Sequence, residues 1–555
     1  MRQPPQSAIT LSPEERPLEE YPYDSEVDVA VIGAGPNGLI AALYLASAGL
    51  QVALVEKRYE IGGGLATEEV LFPGYYANTH ATYHYMIDYM PVLEDFDLSR
   101  HGLRFFKPSL QTVSYIGNDE VHLYRTLEDT RDFLARTSLS LADSFARTSM
   151  SYRRMVDEIV GPATYLPPMP PLDMIDRMGT TPTGNELLAV SEASPHEVLD
   201  GANLGDPLTA TLLYMACQWG ISPRETGMGF MVPLLVDRGM QKAICYGGSH
   251  RMASALSREF LRNGGIILDN AEVDSIEIGD NGASGISMVD GRNIRARRAV
   301  VSSLDPVTTM LHLLPDGSVP DEMVSALGEW KWDKWSLLTV FFALKAGEGK
   351  DTSYGNDEPF ATILGFDSSD DVIDVLESLE GGEIAKIAGH LSMESELDPC
   401  LKPRNGERVG FFQMPAPYGY PWEERSSSIL QQVLNLLEVR IPGIHEDLLA
   451  VKMETPVDVE RRLASMVRGS IKHGDYNPLQ MGYLRPHIDC SNTRTPIEGL
   501  YLCGASVYPG GMIIGGPGYL CARAVINDLG MEFPFPVTRK MEAYANTYLD
   551  GDIQW

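Results

Sequence analysis

Three glycines and one acid near the start of the chain carry the first chemistry. Gly33, Gly35 and Gly38 form a G-x-G-x-x-G turn. The first glycine permits the tight turn, the second lets backbone approach a pyrophosphate, and the third lets a helix pack closely on a strand. Pro36 and Asn37 lie inside the turn, where the N–H groups and dipole of a following helix point at an anion. Glu56 stands where a carboxylate accepts hydrogen bonds from both hydroxyls of an adenosine ribose and repels a 2′-phosphate, roughly 20 residues beyond the glycines. Together these residues are suited to an adenine dinucleotide. A second group is titratable. His80 and His84 lie four apart in a tyrosine-dense stretch, 70–88, the spacing of two metal ligands on a helix. No acid or third ligand accompanies them in sequence, so packing or hydrogen bonding comes first, active-site proton handling second and a metal last, and no metal site is assigned.

The elements that must present these groups are legible around them. The β-branched run Val27-Asp28-Val29-Ala30-Val31-Ile32 reads as a strand buried on both faces that stops at the glycine turn. Residues 36–48 carry Leu39, Leu43 and Ala46 at helical spacing, and 51–55 read as a second strand ending at Glu56. Lys57 then opens a run to a second glycine turn, Gly62-Gly63-Gly64. It follows too closely to belong to an independent βαβ unit, so it serves the same ligand.

These motifs, with Thr495 to Ser506 and Tyr508 to Gly518 near the other end, resemble the phytoene desaturase and amine oxidase superfamily of flavoproteins. Gly62-Gly63-Gly64 departs from the Gly-Gly-Arg of carotenoid desaturases, and the form Ile61-Gly62-Gly63 followed by Thr67-Glu68-Glu69 resembles the phytoene-dehydrogenase-like branch. The resemblance implies FAD rather than NAD. It puts Lys57, Gly63 and Gly64 beside the diphosphate and ribityl chain, the backbone of Val273 at the adenine, and Gly504, Ala505, Gly511, Met512 and Ile513 at the flavin. Flavin reduction builds negative charge near N1 and O2, so N–H groups at a helix start favour the reduced state there. The resemblance also sets His80, His84 and Tyr508 near flavin-facing segments, as candidates for proton transfer or substrate orientation, with packing as the alternative for each.

The implied fold is α/β: a GR2-type, Rossmann-like FAD-binding domain interrupted by a mixed α+β substrate domain. Its expected limits are a flexible arm at 1–24, an FAD-binding domain from 25–105, 240–310 and 477–535, a substrate domain from 106–239 and 311–476, and a tail at 536–555. The implied enzyme is an FAD-dependent oxidoreductase, a dehydrogenase or desaturase moving a hydride from a C–H of a small apolar or alicyclic substrate to flavin N5. An amine or alcohol oxidase, a redox-neutral isomerase and an FAD-bearing interaction protein without turnover are the alternatives. The electron acceptor (oxygen, a quinone or a protein) and the oligomeric state are left open.

Composition sets outer limits. At 555 residues the chain exceeds one ordinary core. Its formal charge of −32 opposes nucleic acid and anionic headgroups. Six cysteines without C-x-x-C or metal-ligand spacing suggest a reduced, cytoplasmic compartment, and no apolar stretch long enough to span a bilayer leaves a soluble or peripheral protein. The proline run 166–172 reads as a stiff surface loop, a lid or a linker. Met228, Met231 and Met240 read as core fillers before pocket lining. Residues 337–344, LLTVFFAL, suit a sheet floor beneath a cavity, and 367–374 an acidic, solvated loop.

Overall fold

The computed structural model describes residues 24–346, 358–403 and 405–555. All but the last residue of the expected N-terminal arm falls outside them.

Five strands from distant parts of the chain lie parallel in one sheet, in the order Ile266–Leu268, Val52–Val55, Asp24–Ile32, Asn293–Ser302, Leu500–Leu502. A hairpin of Val273–Gly279 and Gly282–Met288 adds antiparallel to the early half of Asn293–Ser302. The second half of Asp24–Ile32, Val29 to Ile32, is apolar and buried because both of its faces are covered. Val29 and Val31 belong to a core shared with the helices Pro36–Ser47, His250–Arg262 and Gly516–Asp528, whereas Ala30 and Ile32 belong to a core on the opposite face. Register places Ile32 opposite Val55 and Ser302, and Ser302 opposite Leu502. The carboxyl ends of four strands therefore share one edge, where ligands of parallel sheets bind.

A second sheet runs in the order Leu448–Glu454, Ser336–Leu344, Arg408–Ala416, Gly389–Ser392, Ala361–Phe366, Leu110–Ile116, Asp119–Tyr124. Its pairs are antiparallel except that between Ala361–Phe366 and Leu110–Ile116. Ser336–Leu344 contains the LLTVFFAL run, is buried at every position, and contributes Leu337 and Thr339 to the cavity described below.

Several local expectations are corrected. Residues 367–374 are not a loop: Ser368 caps a helix, Ser369–Glu380, by accepting from the Asp371 N–H, and Val372 and Ile373 are buried inside the acidic run. The proline run ends by opening a helix, Pro171–Met178, with Pro171 in its first turn. The terminal stretch is more than a tail, since Arg539–Tyr548 is a helix with Met541, Tyr544 and Tyr548 buried. His80 and His84 share no helix; His84 forms a backbone bridge to Ala243. Among the described residues no helix is long and apolar enough to cross a membrane.

Candidate functional site

A cavity of about 790 Å³ opens along the carboxyl edge of the parallel sheet. At one end is the first glycine turn, and its three glycines differ in what surrounds them. Gly33 has φ +87°, and a Cβ there would lie 2.5 Å from Ser303 Oγ. That hydroxyl donates to the carbonyls of Ile32 and Gly33, each at 2.9 Å, and fastens the turn to the end of the neighbouring strand. A Cβ on Gly38 would sit 2.0 Å from the Gly33 carbonyl oxygen, so helix and turn touch there. A Cβ on Gly35 would meet nothing within 4 Å; its open side is the cavity.

Glu56 is held from two sides, one oxygen accepting from the Ala34 N–H and the other from the Arg58 N–H, each at 2.9 Å. Burial raises its pKa while these amides and Arg58 oppose the rise. Lys57 closes this end through an ion pair with Glu272 at 2.6 Å, and Ala271, Glu272 and Val273 complete the wall. The second glycine turn lies against the first: a Cβ on Gly63 would approach Gly35 Cα to 3.1 Å.

At the far end the wall becomes aromatic and apolar. Tyr83 and Tyr85 pair through their hydroxyls at 3.0 Å, and Trp219 Nε1 donates to Tyr85 at 3.2 Å. Gln413 Nε2 donates to Thr339 Oγ1 at 3.0 Å from the floor of the second sheet. Ala505, Gly511, Met512 and Ile513 border the same space ahead of the helix Gly516–Asp528. Met512 and Ile513 both have left-handed backbone, φ +69° and +53°. Two consecutive non-glycine residues in that region are strained, and such strain concentrates at functional turns. The turn is held from beneath by Arg485. Its buried guanidinium donates to the carbonyls of Lys472, Gly474, Asp475, Gln480 and Ala505 and lies over the Tyr476 ring.

Six side chains of the wall carry buried polar atoms with no partner: Asn37 Oδ1, Thr79 Oγ1, His80 Nε2, Asp305 Oδ2, Arg462 Nη1 and His473 Nδ1. Buried polar groups are normally paired, so this cavity is shaped for a long, hydrogen-bonding ligand. With an open cradle at Gly35 and the Glu56 carboxylate fixed in the same wall, the residues fit FAD. Burial, reinforced by Arg462 and Arg58, pulls the His80 pKa down to about 3, and burial pulls that of His473 down to about 4. Both rings are neutral in the physiological range.

Of the residues singled out in the sequence, Gly33, Gly35, Pro36, Asn37, Glu56, Lys57, Gly63, Gly64, Val273, Ala505, Gly511, Met512, Ile513 and His80 line the cavity. Gly38 and Gly504 stand behind it as close-packing positions, a Cβ on Gly504 lying 2.6 Å from the Ser303 carbonyl oxygen. His84 is buried against Phe105, away from this space. Tyr508 borders a different cavity and donates to the Ala163 carbonyl at 2.7 Å. No cluster of three metal-binding side chains exists among the described residues. Asp305 lies in the segment 302–306 that the sequence sets near the dinucleotide, but Trp219, Gln413, Arg462, His473 and the Tyr83–Tyr85 pair are not singled out there. No motif surrounds them; the tyrosine-dense stretch was the one available signal.

Residues 37–342 match the family model described as flavin containing amine oxidoreductase. A limonene dehydrogenase subunit of Castellaniella defragrans is 34% identical over 527 residues, covering 91% of this chain and 95% of that protein. Mouse pyridine nucleotide-disulfide oxidoreductase domain-containing protein 2 is 28% identical, covering 91% and 94%. Among solved structures, cyclohexylamine oxidase of Brevibacterium oxydans superposes with a TM-score of 0.58 at 17% identity, covering 91% of this chain and 99% of that one. At that identity the likeness concerns the fold.

Proposed function

The chain belongs to the flavin containing amine oxidoreductase family and is an FAD-dependent oxidoreductase, and from that premise we propose that it dehydrogenates a C–H of a small, neutral, apolar or alicyclic substrate. One observation carries the reading. The aromatic end of the cavity, formed by Tyr83, Tyr85, Trp219, Leu337, Thr339 and Gln413, has no carboxylate in its wall among the described residues. A protonated amine buried there would lack a counter-charge, which costs several kcal/mol, on the order of the penalty for an unpaired buried ion. A neutral hydrocarbon pays no such penalty. The relative named as a limonene dehydrogenase subunit supports the same substrate class.

When bound, FAD supplies the acceptor for the two electrons removed. The residues have separate tasks in this proposal. Glu56 and the turn of Gly33, Gly35, Pro36 and Asn37 hold the adenosine and diphosphate end, with Lys57, Gly63, Gly64 and Val273 beside it. Ala505, Gly511, Met512 and Ile513 present backbone to the ring. His80 offers a neutral, unpartnered Nε2, suited to holding a proton or a polar edge of the cofactor. The Tyr83–Tyr85 pair orients the substrate and excludes water.

Anaerobic mixing of the purified holoenzyme with alicyclic hydrocarbons, amines and alcohols, followed at the flavin absorbance, tests the reading. Bleaching by hydrocarbons supports it. Bleaching by amines or alcohols alone replaces it with an oxidase, and no bleaching by any class returns the protein to the interaction reading.

A further inference from the structure

A second cavity, of about 370 Å³, lies behind the first and shares with it the wall of Tyr85, Gly511 and Met512. Its chemistry is the reverse of its neighbour's. No side-chain oxygen or nitrogen lining it is both buried and unpartnered, whereas six such side chains line the main cavity. Most of the polar groups in its wall are already committed. Thr164 Oγ1 donates to the Val160 carbonyl and Ser191 Oγ to the Leu187 carbonyl, each at 2.7 Å, and the Tyr508 hydroxyl to that of Ala163. Its one charged residue, Arg238, donates to the Tyr85 carbonyl at 2.9 Å and Asp88 Oδ2 at 2.8 Å, and lies over the Tyr89 ring. A ligand here meets no buried, unpartnered polar atom and no free charge; beside the bonded hydroxyls of Tyr85 and Tyr476, those of Tyr483 and Tyr544 are its only other polar side-chain groups among the described residues.

The remaining wall is adaptable. Seven methionines border this space, Met231 among them, and unbranched thioethers repack around apolar shapes. The proline run supplies Leu166, Pro167, Pro168 and Met169, and the rim reaches the surface at Met174, which is 40% exposed. On the inner side stands Met512, on the strained left-handed turn at the flavin end of the main cavity.

We propose that this second cavity is a distinct binding site for one neutral, ring-sized hydrocarbon, a holding chamber separated from the oxidation site by Tyr85 and Met512, an inference that rests on the dehydrogenase reading above. Its volume is at the lower end of the range for small-molecule sites, which excludes a long polyene.

Equilibrium dialysis of the holoenzyme against 1-bromoadamantane, a saturated cage that forms no C=C, tests it without turnover. Saturable binding of two molecules per chain is expected, one in the apolar end of the main cavity and one in the chamber. Leu234→Trp and Leu188→Trp, two separate substitutions that fill this chamber, should each weaken binding of one of the two molecules about tenfold or more, and Leu337→Trp in the main cavity should change the affinity of the chamber less than about twofold. The FAD absorbance spectrum reports that each variant is folded and loaded. Absence of saturable binding, or a single bound molecule that Leu337→Trp weakens and neither chamber variant does, overturns the proposal. Because the probe is not oxidised, a failure to oxidise hydrocarbons sinks the dehydrogenase reading and leaves this measurement intact.

Discussion

Single side chains here carry opposite electrostatic costs. Glu394 is fully buried; it accepts from Asn78 Nδ2 at 2.6 Å and from the Asn78 N–H at 3.2 Å, and its pKa is raised to about 7, by burial first and by Asp398 as well. A carboxyl whose folded pKa lies above its unfolded value binds its proton more tightly when folded. Its contribution is therefore complete below about pH 4.5 and is lost as pH rises to about 7, on the order of 3 kcal/mol. Melting temperatures of the protein and of Glu394→Gln, compared from pH 4.5 to 8, should converge at low pH and separate in favour of the glutamine variant as pH rises. His84 is a different case: both ring nitrogens are buried without partners and its edge meets Phe105. Replacing an unpaired polar ring by an apolar one of similar shape removes a desolvation cost of about 1–3 kcal/mol. His84→Phe should accordingly raise stability in denaturant titrations and leave FAD content unchanged, whereas a residue in proton transfer would lose activity.

Elements divide the glycine turn into parts that serve the fold and parts that serve the ligand. Gly38→Ala drives a Cβ into the Gly33 carbonyl where helix meets turn, and it should lower the melting temperature of the apoprotein. Gly35→Ala adds a methyl to open space; it should leave the apoprotein's melting temperature unchanged and weaken FAD binding about tenfold or more, the methyl standing where the second glycine of this motif admits the pyrophosphate. Titration of both apoproteins with FAD, beside their melting curves, separates the two effects. The same division explains what the sequence revealed. Strand, turn, helix and Glu56 are contiguous, so spacing alone relates them. Arg462, His473 and Trp219 come from separate segments and meet only because two sheets are in place. Residues 367–374 misled because four aspartates outweighed Val372 and Ile373, whose continuation at Val375, Leu376 and Leu379, three and four residues apart, is the amphipathic sign.

For the molecule as a whole, a net charge of −32 works against compaction. Salt shortens the reach of that repulsion to about 10 Å at 0.1 M, so the melting temperature should rise by about 1–3 °C between low salt and 0.5 M NaCl. Scanning calorimetry across that range checks it, and a fall would mean that ion pairs such as Arg297 with Glu26 and Asp28 dominate over the net charge. The two-sheet architecture was readable from the motifs at both ends of the chain. The depth of the apolar chamber was not, because its walls combine the proline run, the helices around Leu187 and Leu234, and the turn at Met512.

The parallel sheet pairs Asn293–Ser302 with Asp24–Ile32 on one side and with Leu500–Leu502 on the other. A ribosome adding about 5–20 residues each second delivers that last partner roughly 10–40 s after Ser302. Throughout that interval the emerging polypeptide exposes the edge at Val300 and Val301 that only the distant strand Leu500–Leu502 can cover. Yields in a heterologous host should accordingly depend on chaperone supply and slow translation before they depend on riboflavin.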